Sequence, residues 1–381
     1  MTATALASVL PLVGGCSERP DSPLLPSPVV ADAPACVPAP LPARAAAVLV
    51  AGLPETLKPG DPLATSLPRL GVGGILLTQR NVQTDTQVAA LTAAIRSRSA
   101  RPLLVTTDEE GGEVSSFRPV FGRSDSAYAI GTQDPQLLTK RGKFIGTFLR
   151  NVGVNGDLAP VADVTRGESS AIGSRSYSSN ASTAARDALA VAGGLTDGGV
   201  SPTLKHFPGL GRSSDDTHKE VAVIDAPRQE LEGTDLAPFV EAIHAGIPTI
   251  MVSHAAYPEL GITGGPASLS PAAYRLLRQL GFTGVAMTDS LGMGAVNQHF
   301  DYPEAGVRAL NAGADALLFT DGNQAVRMRD AIVAAVKSGA LPESRLDEAA
   351  AKVTALGGAD PVALTCRDVR LPSLRPTAPG N

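Results

Sequence analysis

Tryptophan is absent, and aromatic residues make up only 4% of the 381-residue chain. Long polysaccharide platforms stack sugars on aromatic faces, so any carbohydrate site here is expected to be small and polar. The chain has no run of Lys or Arg, and its net charge is −5. That excludes the basic footprint of a nucleic-acid binder. No apolar run reaches the roughly 20 residues that a membrane-spanning helix needs. Cysteine is scarce, with only Cys16, Cys36 and Cys366 present. What the chain does have is 43% hydrophobic content, enough to bury a sizeable core in one large domain or two smaller ones.

The N-terminus differs in composition from the rest. Ala5 to Val13 is a short apolar stretch, followed by Gly14-Gly15-Cys16. This resembles the lipobox of bacterial lipoproteins, in which small residues precede a cysteine that is lipidated and becomes the new N-terminus. It departs from that pattern in having no Lys or Arg before Cys16. Residues 1–16 are thus expected to be a signal segment with Cys16 as the lipidation site. Residues 17–43, rich in Pro, Ala, Ser and Asp, are expected to form an extended tether. The reading places the protein outside the cytoplasm, held to the outer face of the cell membrane only through lipid, or else secreted. There, Cys36 and Cys366 could form a disulfide joining the two ends of the domain, and the other reading is two unrelated thiols.

Residues 44–370 read as one domain and 371–381 as a tail. Eight apolar runs have strand character: 46–51, 74–78, 103–107, 154–161, 201–205, 249–253, 284–288 and 314–319. Most are continuous rather than alternating, as in parallel strands buried on both faces. Helix-like segments separate them, at 86–98, 134–151, 182–197, 229–245, 271–280, 303–312 and 324–337, several ending near Gly198, Gly246, Gly281 or Gly313. This alternation predicts an α/β fold, a single (β/α)8 TIM-type barrel. A doubly wound open sheet is the alternative, but no Gly-x-Gly-x-x-Gly follows the first strand.

A barrel places catalytic groups at the C-terminal ends of its strands, and ionisable residues collect there. Asp108-Glu109-Glu110 follows the third run, Asp163 and Arg175 the fourth, Lys205, His206, Asp216 and His218 the fifth. His254, Asp289 and Asp321 follow the last three. A lone carboxylate such as Asp289 can attack an electrophilic carbon, or can merely cap the next turn. A carboxylate beside an imidazole, as in Asp216-Thr217-His218, can orient the ring and make it an acid/base. His206, His218, His254 and Asp216 could in principle gather around zinc. No His-x-His or His-Glu-x-x-His spacing is present, and Lys205 would repel a cation, so no metal and no cofactor are expected.

Several segments together resemble the β-N-acetylglucosaminidases of glycoside hydrolase family 3. They are Gly73-Gly74-Ile75-Leu76-Leu77, Asp108 to Val114, Leu158 to Val164, Ile172 to Tyr177, Lys205 to Gly211, Asp216-Thr217-His218 and Thr288-Asp289-Ser290-Leu291. They occur in family order and span most of residues 45–340. The resemblance implies that Asp289 is the nucleophile of a retaining hydrolysis, with Asp216 and His218 as the acid/base dyad. It implies that Asp108, Arg175, Lys205 and His206 hold the hydroxyls and N-acetyl group of a terminal sugar. The expected substrate is a small N-acetylglucosaminide such as a peptidoglycan-derived muropeptide fragment, and the expected state is a monomer. A β-glucosidase, or a phosphorylase with phosphate as acceptor, is the nearest alternative. A non-catalytic cell-wall-sugar-binding lipoprotein is the alternative of another class. The chain departs from the family pattern at Leu210, where His is usual, and at Glu113, where Arg is frequent.

Overall fold

The computed structural model describes residues 1–2, 36–167 and 170–374. Cys16 and the tether up to residue 35 lie outside them. A compact unit begins at Val37. Cys36 and Cys366 are each disulfide-bonded.

Eight parallel strands form the barrel: β1 Leu49–Gly52, β2 Gly74–Leu77, β3 Leu104–Thr107, β4 Gly156–Asp157, β5 Ser201–Phe207, β6 Thr249–Val252, β7 Val285–Thr288 and β8 Leu317–Phe319. Neighbours in sequence are neighbours in the sheet, and β8 pairs with β1 through Leu49 opposite Leu317. The ring closes where a parallel bridge joins Met287 to Ala316. Each strand is covered on both faces, which explains the continuous apolar runs. Val50, Leu76, Leu104, Leu158, Met251, Met287 and Leu318 fill the interior. Val353, on the helix Glu343–Leu356, belongs to this inner cluster. Of the interior residues, Leu76, Leu158, Met251 and Leu318 also reach the floor of the cleft above.

Helix ends follow local chemistry. Pro135–Asn151 starts at Asp134, whose carboxylate accepts the Gln136 N–H, and Ala181–Asp197 starts at Asn180, which accepts the Thr183 N–H. Gly246, Gly281 and Gly313 take the positive φ expected of helix ends. Gly198 does not: it stays right-handed at φ −81°, and Gly199 makes the left-handed turn instead.

Four expectations of element need revision. The first strand was expected from Ala46. Instead Leu41–Ala47 is a helix and β1 begins at Leu49, because an alanine run led by prolines is a strong helix start. Run 154–161 shrinks to Gly156–Asp157 plus a bridge from Val161 to Lys205, since Pro160 has no N–H for a ladder. Segment 229–245 is broken by a π-turn at Leu231–Asp235. Helices Pro62–Leu70 and Glu343–Leu356 were not expected at all.

Candidate active site

The cleft opens at the C-terminal ends of the strands and measures about 390 Å³. Its lining includes Asp108, Arg175, Lys205, His206, Asp216, His218 and Asp289. All the residues singled out for binding and catalysis therefore meet around one space, although they come from the ends of different strands.

Strand β5 supplies the first group. Its register with β6 shifts between Leu204 and Phe207, and such an irregularity re-aims side chains at a barrel rim. Lys205 Nζ donates to Asp108 Oδ1 at 2.6 Å and lies 2.7 Å from Glu110 Oε1. Arg175 donates twice to the same Glu110, from Nε to Oε2 and from a terminal nitrogen to Oε1, both at 2.8 Å. Glu110 is buried and sits in a short hairpin, Glu109–Gly111 with Val114–Ser115. Burial pushes its carboxyl up, but the Lys205 and Arg175 charges outweigh this and hold it at about 2. Burial lowers the Lys205 ammonium, yet Asp108 and Glu110 together raise it above its ordinary value. Lys205 therefore stays a cation, well suited to donating hydrogen bonds to sugar oxygens.

His206 is fixed by Asp163. Asp163 Oδ2 lies 2.6 Å from His206 Nδ1, and Oδ1 accepts the N–H groups of His206 at 3.1 Å and Leu210 at 2.7 Å. With the carboxylate as acceptor, Nδ1 carries the proton and Nε2 presents a lone pair. Nε2 lies 3.5 Å from the Arg175 guanidinium.

The acid/base candidates sit on the loop after β5. His218 Nδ1 lies 2.8 Å from Asp216 Oδ1, which also accepts the His218 N–H at 3.0 Å. Burial pushes the Asp216 carboxyl up, but these bonds from His218 together outweigh it and pull it below its ordinary value. An ionised Asp216 can only accept, so Nδ1 bears a proton and Nε2 is the nitrogen left to exchange one. The loop is close-packed at its start: a Cβ on Gly211 would collide with the Val164 carbonyl, so the position requires glycine.

Asp289 ends β7. Its Oδ1 accepts the Ser290 N–H at 2.7 Å, and Oδ2 has no hydrogen-bond partner among the described residues. The Ser290 carbonyl accepts from His254 Nε2 at 2.8 Å, and Ser268 Oγ lies 2.7 Å from His254 Nδ1. Because a carbonyl only accepts, Nε2 carries the proton and Ser268 donates to Nδ1. Burial lowers His254, in keeping with a neutral ring. Burial also pushes Asp289 up, but the facing imidazoles of His254 and His206, the Ser290 amide and the Lys205 ammonium bring it below the usual carboxylate range. Since His254 is uncharged in this tautomer, the amide and the ammonium are the durable part of that effect. Asp289 is thus an ionised carboxylate with one oxygen open to the cleft.

Two residues with structural authority over the site were not singled out from sequence as site residues: Glu110 and Asp163. Both were visible as strand-end carboxylates, and what identifies them is their partners, which only the fold brings together. Asp321, another strand-end carboxylate, instead caps the following turn by accepting from the Asn323 N–H. Glu113 is exposed at the hairpin turn and does not line the cleft. Leu210 is buried and lines it with an apolar wall, while its backbone still serves Asp163. Among the described residues no group of three or more His, Cys, Asp or Glu is arranged to hold a metal.

Comparison with known proteins agrees with this geometry. Residues 47–356 match the glycosyl hydrolase family 3 N-terminal domain. The curated beta-hexosaminidase LpqI of Mycobacterium tuberculosis is 36% identical over 338 residues, covering 82% of this chain and 86% of that protein. The solved structure of M. tuberculosis LpqI has a TM-score of 0.77 at 34% identity, covering 84% of this chain and 94% of that one. A glycoside hydrolase family 3 beta-N-acetylglucosaminidase from Paenibacillus has a TM-score of 0.80 at 31% identity, covering 90% of this chain and 66% of that longer one. A domain match across the whole barrel and a relative of similar length lead to one conclusion: the chain belongs to glycosyl hydrolase family 3.

Proposed function

We propose that the protein is a retaining exo-β-N-acetylglucosaminidase acting on small N-acetylglucosaminides such as peptidoglycan-derived fragments. The observation that carries the reading is the convergence on one cleft of an ionised carboxylate, Asp289, and an oriented imidazole, His218. Lys205, Arg175, His206 and Asp108 form a polar wall beside them. Asp289 Oδ2 attacks the anomeric carbon while His218 Nε2–H protonates the leaving oxygen. A covalent glycosyl–Asp289 ester forms and the aglycone departs with the proton. His218, now neutral at Nε2, takes a proton from water as that water attacks the anomeric carbon, which breaks the bond to Asp289, regenerates its carboxylate and releases the β-sugar. Asp216 keeps the imidazole in the tautomer that can do both steps. The names of the relatives, beta-hexosaminidase and beta-N-acetylglucosaminidase, support the choice of an N-acetylated sugar over glucose.

The test is hydrolysis of paired chromogenic β-N-acetylglucosaminide and β-glucoside substrates, with and without phosphate. Release from the first alone, with free N-acetylglucosamine as product, supports the reading. Activity confined to the glucoside contradicts it, as does a sugar-1-phosphate as the main product. Sugar binding without any turnover would point to the non-catalytic binder instead. Export with lipid on Cys16 belongs to the same proposal, and so does pairing of Cys36 with Cys366. Mass mapping of the exported protein under non-reducing conditions tests both.

A further inference from the structure

The loop carrying Asp216 and His218 is rich in Gly and Ser. In the structure its last residues are tied to the turn that follows the nucleophile. The Gly294 N–H donates to the His218 carbonyl at 2.9 Å, and the Ala295 N–H donates to the Thr217 carbonyl at 3.3 Å. The Gln298 side-chain amide donates to the Lys219 carbonyl at 2.7 Å. These donors begin and end the short helix Gly294–Asn297, which starts five residues after Asp289. The first N–H groups of a helix have no partner within it, and here the backbone of the acid/base loop satisfies two of them. The approach leaves no space for a side chain at Gly294: an added Cβ would lie 2.7 Å from the His218 carbonyl oxygen and closer still to that of Lys219. Gly294 has ordinary negative φ, so glycine is required there by this contact rather than by backbone conformation.

We infer that the turn Gly294–Gln298 is a latch that sets the position of the acid/base, so that nucleophile and proton donor are held in register by one short element. The inference rests on the proposed reaction. His218 is exposed on its loop and is fixed to Asp216, two residues away on the same loop. That bond sets the ring's tautomer but not where the loop stands. The three bonds to Gly294, Ala295 and Gln298 set where it stands relative to Asp289, which β7 holds firmly. Gly294 and Gln298 are not among the residues that line the cleft and are positioning residues.

The test is the dependence of kcat/KM on leaving group, which reports the glycosylation step. A phenyl β-N-acetylglucosaminide needs proton donation, whereas the 2,4-dinitrophenyl glycoside does not. His218→Ala should cost the phenyl substrate about 100-fold or more and the dinitrophenyl substrate little. Gly294→Ala should show the same pattern, with at least about tenfold loss on the phenyl substrate. Gln298→Ala, a surface change that should leave folding intact, should show it in weaker form. In a His218→Ala background, Gly294→Ala should cost nothing further on either substrate, since two changes acting through one group are not additive. Equal losses on both substrates, an unchanged Gln298→Ala enzyme, or full additivity with His218→Ala would overturn the latch. If His218→Ala itself shows no leaving-group dependence, the proposed acid/base role falls and the latch falls with it. The two failures are therefore told apart by the His218→Ala result.

Discussion

Arg175 grips Glu110 through two parallel hydrogen bonds of 2.8 Å, a planar guanidinium against a planar carboxylate. The Glu110 carboxylate is withdrawn from water, the Arg175 side chain is partly exposed, and Lys205 shares the same carboxylate. Glu110 therefore holds two cations in place at the rim of the cleft, which it also lines. Its substitution should damage binding through them. Glu110→Gln is expected to lower kcat/KM for an aryl β-N-acetylglucosaminide on the order of 100-fold, because misplacing a positioning group by about 1 Å costs that much. Glu110→Ala should in addition destabilise the protein by about 3–5 kcal/mol, since the buried Lys205 and the partly buried Arg175 lose a partner. Steady-state kinetics and urea denaturation check the two effects separately.

The same residue should shape acid stability. The Glu110 carboxyl sits at about 2 in the folded protein against an ordinary 4.5. A carboxyl depressed by folding contributes stability that is fully present above its unfolded value and is lost as pH falls through its folded value. The contribution is on the order of 3 kcal/mol, lost between roughly pH 4.5 and 2. Denaturation midpoints across that range should fall steeply for the wild type and less steeply for Glu110→Gln. Parallel curves would refute this assignment.

Asp163 should behave as the orienter of His206. Asp163→Asn can offer an N–H where His206 Nδ1 needs an acceptor, so the ring loses its fixed tautomer. The expected cost in kcat/KM is about 10–100-fold, corresponding to loss of a charge-assisted hydrogen bond. In a His206→Ala background the same change should cost little further activity. It should still cost stability, because the Leu210 N–H also depends on Asp163. A thermal melt distinguishes the two roles.

Much of this architecture was legible in the sequence. The continuous runs around Ile75, Val105, Ile250 and Ala286 announced buried parallel strands, and the ionisable residues after them marked the active face. Lys205, His206, Asp216, His218 and Asp289 could be read because barrel topology assigns strand ends a common location. The helix at Leu41–Ala47 was hidden because an apolar run has the same appearance in a strand and a helix. Glu110 and Asp163 were hidden because each acts through residues far along the chain, 65 positions away for Arg175 and 43 for His206. The Gly and Ser content of the His218 loop says nothing of the carbonyls that Gly294 and Gln298 hold. Leu210, where the family usually has His, has a backbone role that any residue could fill, and the change falls only on the cleft wall.

The central claim is that Asp289 forms a covalent bond to the sugar and that His218 manages the protons on either side of that event. The most direct measurement is intact mass and peptide mapping of His218→Ala quenched during turnover of 2,4-dinitrophenyl β-N-acetylglucosaminide. This substrate departs without a proton donor, so the first step proceeds, while the second lacks its base and the intermediate should accumulate. The account predicts an adduct of one N-acetylhexosaminyl unit located on Asp289. An adduct on another residue would contradict it, as would a burst of dinitrophenol with no adduct at all.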